Sequence, residues 1–528
     1  MLRMLPSRLS QARHSVRITT TRTIPAFQKR LFSNAEKYDA LVLGAYTEGE
    51  EIALSAAQDI SLATQKVLHE QLAASSFKKA GDVRTLYNVG GVKQVAVVSL
   101  GKKSDSLKGD VQRLESARMS SALGIQALRK QGVKNVGVDV SVSAHGAAEG
   151  AILAQFAFDK LKDEKSRAES IQVAPFSEPI TKDANLDWES GQIYGTSQNL
   201  ARMLMTTPSN LMTPKLFSEE VAYLLAGMDN IDIMVHDKEW AVKQKMNSFL
   251  AVAQGSEEPP RFLEIHYKGG KESDPVHGLV GKGVTFDSGG ISLKPSNGMA
   301  LMKGDMGGAA TVAAALYGIS KMKLPVNIVA SIPLCENMPS GKATKPGDVV
   351  RAMNGKSIEV MDTDAEGRLI LADALYYTSS KFKPASIIDL ATLTGACMVA
   401  LGEVYTGAFT NSDELWKRLN DAGNMTSDPF WRMPLDDGYL MEMKESDVAD
   451  LNNLGKGRPG GAASAAAFLS QFVEGLDKEK LGELQHPAWA HLDIAGTMDA
   501  AATKGYHIKG MSGRPTRSLM EYYRSFTK

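Results

Sequence analysis

Residues 358–371 read IEVMDTDAEGRLIL: a β-branched apolar run, then Asp362, Asp364, Glu366 and Arg368, then apolar residues again. The stretch KSIEVMD, 356–362, predicts a buried strand. RLILADALYYTSSK, 368–381, carries Leu369, Ala372, Leu375 and Tyr376 at helical spacing. The acids therefore fall where a strand ends and a helix begins, the edge at which open α/β sheets hold their ligands. A helix N-terminus favours negative charge, but that accounts well for one acid and poorly for three.

Outward from this stretch, strand and helix signals alternate from residue 38 onward. YDALVLGAY (38–46), KQVAVVSLG (93–101) and NVGVDVSVS (135–143) read as strands. Residues 52–72, 114–132 and 146–162 read as helices. A polar stretch, 164–186, reads as a boundary, and the helical segment 188–210 is placed to bridge two domains. A second block begins near 214, with strands at 230–236, 262–268, 277–286, 326–334, 356–362, 386–393 and 490–496. The pattern predicts an α/β protein of two domains, each a mainly parallel sheet flanked by helices, with the larger domain C-terminal. The expected boundaries are 36–186 for the first domain, 187–213 for a linker helix and 214–528 for the larger C-terminal domain. A chain of 528 residues exceeds one ordinary domain.

Composition narrows the class. Hydrophobic content of 43% and charged content of 23% are those of a globular protein, and no apolar run is long enough to span a bilayer. Cys335 and Cys397 sit in apolar settings, outside any Cys-x-x-Cys pair, so a disulfide scaffold and thiolate zinc are both disfavoured. Residues 1–35 hold Arg3, Arg8, Arg13, Arg17, Arg22, Lys29 and Arg30 and no acid, the composition of a mitochondrial transit peptide. Arg30-Leu31-Phe32 before Ser33 resembles a matrix processing site. Removal of 1–32 leaves 53 basic residues against 60 acidic ones, a balance that argues against a general affinity for nucleic acid. A matrix location follows from this reading, and a form lacking the presequence stays cytoplasmic.

A second acid-bearing stretch, GLVGKGVTFDSGGISLKPSNGMALMKGDMGGAATVAAAL (278–316), contains Lys282, Asp287, Lys294 and Asp305. Its glycines let backbone approach a ligand. It is not a phosphate loop, because Gly283 follows Lys282, and it lacks the G-x-G-x-x-G fingerprint. His69-Glu70 lacks a second His at Ala73, and no G-x-S-x-G elbow occurs. What remains is oxygen-rich. Asp287, Asp305, Asp364 and Glu366 on two junctions of one sheet would repel one another unless cations intervene. Two divalent ions ~3.5–4 Å apart satisfy that charge, and oxygen ligands suit Mg, Mn or Zn. Lys282 could ligate only if neutral, with its pKa pulled down by burial beside a metal.

These motifs, GKGVTFDSGGISLKPS, KGDMGGAATV and DTDAEGRLIL, resemble in order and spacing the leucyl aminopeptidase family of two-metal exopeptidases. ENMPSGKATKPGDVV, ATLTGA, WAHLDIAG and GMSGRPTRSL resemble it too. The resemblance covers 190–528 by motif and 38–160 by domain order. It implies that Lys282, Asp287, Asp305, Asp364 and Glu366 bind two metal ions, Zn or Mn with Mg as an alternative, Asp287 and Glu366 bridging. It implies that Lys294 polarises the scissile carbonyl and that Arg368 holds a proton-relaying bicarbonate. Met302, Thr392, Leu393 and Gly395 would meet the substrate, with Leu and other apolar first residues favoured. The implied substrates are short peptides and the implied assembly a homohexamer with no membrane partner. Asp362 departs from the pattern, which usually has Asn there. A DNA-binding relative and a two-metal phosphoesterase are the competing readings; the complete ligand set disfavours the first, and the missing phosphate-cradling loop the second.

Overall fold

The computed structural model describes residues 38–179, 186–455, 459–476 and 487–527. The presequence reading of 1–35 lies outside the described residues. The N-terminal sheet contains β1 (Ala40–Glu48), β2 (Glu51–Leu54), β3 (Val83–Val89), β4 (Val92–Gly101), β5 (Asn135–Val138) and β6 (Gln172–Pro175). Its order is β3-β4-β1-β5-β6, with β2 paired to β1. β1 runs parallel to β4 and β5, and β5 parallel to β6. β1 is central and buried almost throughout, as expected of an apolar strand covered on both faces.

Two expectations change here. Residues 52–72 do not form one helix. The chain turns at Gly49, where φ is +63°, and returns as β2. The helix starts only at Leu62, after Ser61 accepts the Thr64 N–H at 3.3 Å. The polar stretch 164–186 is not merely a boundary, since it supplies β6. An edge strand of four residues needs little apolar content.

The second sheet contains β7 (Ile231–His236), β8 (Arg261–Lys268), β9 (Val276–Gly281), β10 (Gly283–Asp287), β11 (Asn327–Asn337), β14 (Ser386–Ala391), β15 (Thr406–Thr410), β16 (Phe430–Arg432) and β18 (Ala488–Asp493). Three further strands, β12 (Asp348–Arg351), β13 (Ser357–Val360) and β17 (Leu451–Asn452), form a separate small sheet, and β19 (Asp499–Ala500) pairs with β20 (Gly510–Met511). The large sheet runs β16-β15-β18-β14-β9-β11-β8-β7, with β10 beside β11. Its centre is parallel, and β7, β8 and β15 pair antiparallel toward the edges. One face is covered by the helix Gly307–Lys321 and the other by Gly367–Phe382. A third expectation fails: the strand before Asp362 is β13, outside the large sheet. The helix Gly367–Phe382 carries the loop back to that sheet by packing its apolar residues on it.

The helix Trp188–Thr206 joins the two halves. A Cβ on Gly191 would lie 2.2 Å from the His145 carbonyl oxygen, so glycine lets this helix seat against Ala144–Leu153. Leu204 and Met205 on the same helix enter the hydrophobic core of the C-terminal half. Nearby, Glu149 of the N-terminal half accepts Arg118 Nε at 2.8 Å and also pairs with Arg517 of the C-terminal half. All three side chains are fully buried.

Candidate metal centre

Lys282 occupies the single position between β9 and β10. Its N–H donates to the Leu390 carbonyl and its own carbonyl accepts from Ala309 N–H, both at 2.9 Å. The side chain points to the carboxyl edge. There its ammonium lies 2.9 Å from Asp305 Oδ2 and 2.8 Å from Glu366 Oε1, and donates to the Thr392 carbonyl at 2.9 Å. Gly367 makes the room, because a Cβ there would stand 2.8 Å from the end of the lysine chain. Lys294 lies 2.8 Å from Asp287 Oδ2 and also contacts Asp364 Oδ1. Asp287, Asp364 and Glu366 each place a carboxylate oxygen within 4.8 Å of the others. Asp305 stands outside that trio and joins it through Lys282.

The loops are shaped to make this convergence. Gly289 has φ of +88°, and a Cβ on it would meet Ser292 O at 2.4 Å and Asp364 Oδ1 at 2.9 Å. Only glycine fits that turn. Asp362 Oδ1 accepts the Asp364 N–H at 2.9 Å, so this acid of the opening stretch shapes the loop. Arg368 is buried, and its Nε finds no hydrogen-bond partner among the described residues.

The charges do not balance. Four carboxylates face two ammonium groups. Burial pushes Glu366 up, reinforced by Asp287, and burial pushes Asp305 and Asp364 up against the pull of Lys282 and Lys294 respectively. Burial draws both lysines down, but the acids outweigh it and leave them raised. For Lys282 this is the reverse of the shift a ligating amine requires, so neutral lysine needs cations strong enough to replace its charge. An excess of buried negative charge on hard oxygen donors fits divalent ions.

The substrate-facing candidates lie around the same edge. Thr392 Oγ1 donates to Asp305 Oδ1 at 2.7 Å. Leu393 is half-buried, and Gly395 opens the helix Gly395–Leu401 with free space around its Cα. Met302 is half-buried in the 3₁₀ turn Met299–Gly304. Sequence reasoning missed three side chains here. Asp493, ending β18, accepts from Leu393 N–H at 3.3 Å and Thr394 Oγ1 at 2.6 Å. Asn453 accepts from Met361 N–H at 2.8 Å and donates to the Asp362 carbonyl at 2.6 Å. Asn337, ending β11, donates to Asp287 Oδ1 at 2.8 Å. Asn337 and Asp493 share a legible signal, a polar residue closing a largely buried strand. Asn453 has none, because its partners are backbone groups about ninety residues away.

Hard oxygen donors and lysines gathered at the carboxyl edge of a mostly parallel α/β sheet define a metal-dependent enzyme. The profile of the cytosol aminopeptidase family, catalytic domain, matches residues 199–520, and that family's N-terminal domain matches 42–165. The chain is 48% identical to a cytosol aminopeptidase of Xenopus tropicalis, over 91% of this chain and 92% of that one. It is 45% identical to a cytosol aminopeptidase of Homo sapiens, over 95% of each. Among solved structures it resembles the bottromycin maturation enzyme BotP in complex with Mn, with a TM-score of 0.77, 30% identity and coverage of 93% and 100%. It also resembles a tomato leucine aminopeptidase mutant, with a TM-score of 0.76, 31% identity and coverage of 92% of each chain. The chain belongs to the cytosol aminopeptidase family. It is a metal-dependent aminopeptidase, a hydrolase that removes residues from the N-termini of peptides.

Proposed function

We propose that Lys282, Asp287, Asp305, Asp364 and Glu366 hold two divalent ions, Zn or Mn with Mg as an alternative, and that the enzyme releases Leu and other apolar residues from short peptides. The convergence of Asp287, Asp364 and Glu366 carries this reading. When bound, such ions act as Lewis acids and lower the pKa of water. Lys294, one-fifth exposed beside Asp287 and Asp364, is positioned to stabilise negative charge developing on the substrate carbonyl oxygen. Arg368 would hold bicarbonate, which when bound would supply proton-relay chemistry; its buried Nε, without a hydrogen-bond partner among the described residues, supports an oxyanion there. Met302, Thr392, Leu393 and Gly395 bind the first residue and the adjoining backbone. Hydrolysis of Leu-p-nitroanilide should vanish in chelator and return with Mn or Zn, while a phosphate ester stays intact; turnover that survives complete chelation overturns the assignment.

The reading extends to assembly and location. A homohexamer is supported by exposed apolar side chains on segments next in sequence to the site residues: Leu293, Leu301, Met361 and, on the helix Gly395–Leu401, Val399. Light scattering that gives one chain per particle would refute it. The acid-free, Arg-rich segment 1–35 supports import into the mitochondrial matrix, with 36–186, 187–213 and 214–528 as N-terminal domain, linker and catalytic domain. A reporter fused to residues 1–40 that stays in the cytosol would contradict the address.

A further inference from the structure

We infer that Asn337 is a positioning residue for the metal centre: its amide holds one oxygen of Asp287 and so fixes the other toward the cations. The inference rests on the metal reading above. β11 is eleven residues long and almost wholly buried, and Asn337 is its last residue. The pairing of β10 with β11 sets Asp287 directly across from Asn337. The Asn337 carbonyl accepts from Ser288 N–H at 3.0 Å and Ser288 Oγ at 2.7 Å, which anchors the backbone on both sides of the contact.

Both amide hydrogens of Asn337 are committed. One goes to Asp287 Oδ1 at 2.8 Å and the other to the Thr363 carbonyl at 3.0 Å. A flipped amide would set its oxygen against two acceptors, so the network fixes its orientation. Asp287 Oδ1 also accepts the Gly289 N–H at 2.9 Å. That oxygen is thereby saturated, and Oδ2 is the one that pairs with Lys294. An aspartate's χ2 is broad and imposes no such direction by itself. The same amide ties the loop bearing Asp287 to the loop bearing Asp364 and Glu366, so it sets the direction of one ligand and the spacing between two sets. A residue that served only the loops would need the Thr363 bond alone.

The test is titration of Mn²⁺ into the metal-stripped full-length protein, read by calorimetry beside a thermal melt. Asn337→Ala should weaken Mn²⁺ binding 10- to 100-fold, the range for partners that orient a metal ligand, and lower kcat more than it raises KM. Asn337→Leu keeps the volume, loses the donors and should behave alike if the alanine variant fails to fold. Thr363→Val is the comparison. It removes the hydroxyl bonds to Gly289 O at 2.6 Å and Ser292 N at 2.8 Å between the same loops, and leaves the Asp287 contact. At equal loss of melting temperature it should weaken Mn²⁺ far less. Parental affinity in the Asn337 variants, or affinity losses in both that simply track melting temperature, overturns the inference and leaves the metal reading intact. A parent protein that binds no Mn²⁺ overturns the metal reading itself.

Discussion

Two buried charge clusters in this molecule use the same ingredients and reach opposite electrostatic states. Between the domains, Glu149 meets Arg118 and Arg517; burial pushes its carboxyl up, but the two guanidinium groups outweigh it and hold it at about 2. At the sheet edge, burial and mutual repulsion win, and Glu366, Asp305 and Asp364 are raised despite Lys282 and Lys294. The first cluster supplies its own counter-charge and acts as a structural clasp. The second is short of positive charge and is built to receive it from outside. Buried acids of both kinds look alike in a list of ion pairs; the direction of their shift separates them.

The comparison can be broken most directly at the centre. Glu366→Ala or Asp364→Ala should lower turnover at least about 10⁴-fold, or ~5.5 kcal/mol, with the melting temperature held or raised because repulsion falls. Appreciable peptidase activity in either purified variant would undo the metal assignment. The clasp should respond the other way. Glu149→Ala leaves two buried guanidinium groups facing each other and should cost about 4 kcal/mol of stability, with the Mn²⁺ affinity of the folded protein unchanged. The same cluster sets a pH window. The folded pKa of Glu149 lies below its ordinary 4.5, so its contribution is complete above 4.5 and is lost as pH falls toward 2. The melting-temperature gap between the parent and Glu149→Gln should therefore narrow across that window; a constant gap would contradict it.

Smaller effects sharpen the contrast. Saturating Mn²⁺ at a hundred times its Kd should add about 2.7 kcal/mol of stability, and Glu366→Ala should abolish the gain while Glu149→Gln keeps it. Arg368→Ala should reduce activity about 30-fold, or ~2 kcal/mol, and the residual rate should lose its dependence on added bicarbonate. A variant as active as the parent in bicarbonate-free buffer would remove the proton-relay role.

Much of the centre was legible because its acids and lysines sit in contiguous motifs. Asp364, Glu366 and Arg368 lie within five residues, and Lys282, Asp287 and Lys294 within thirteen. Alternation also located most strands, but it carries no pairing information. The run before Asp362 was read as part of the large sheet and instead pairs with β12 and β17. Lys282 divides what reads as one strand, because its carbonyl and N–H turn to Ala309 and Leu390. Asn337, Asn453 and Asp493, which bond these acids and their loops, were missed because their partners are distant in sequence and are mostly backbone groups.

The sequence by itself determined the two α/β blocks, the acid-bearing junctions and the oxygen-rich chemistry, since periodicity and residue type are local properties. Only the tertiary structure decided which acids meet, which lysine faces which carboxylate, and that one buried acid is satisfied while others are not. The reason is physical: charge balance and desolvation depend on distance through space, and neighbours across a sheet can be a hundred residues apart along the chain.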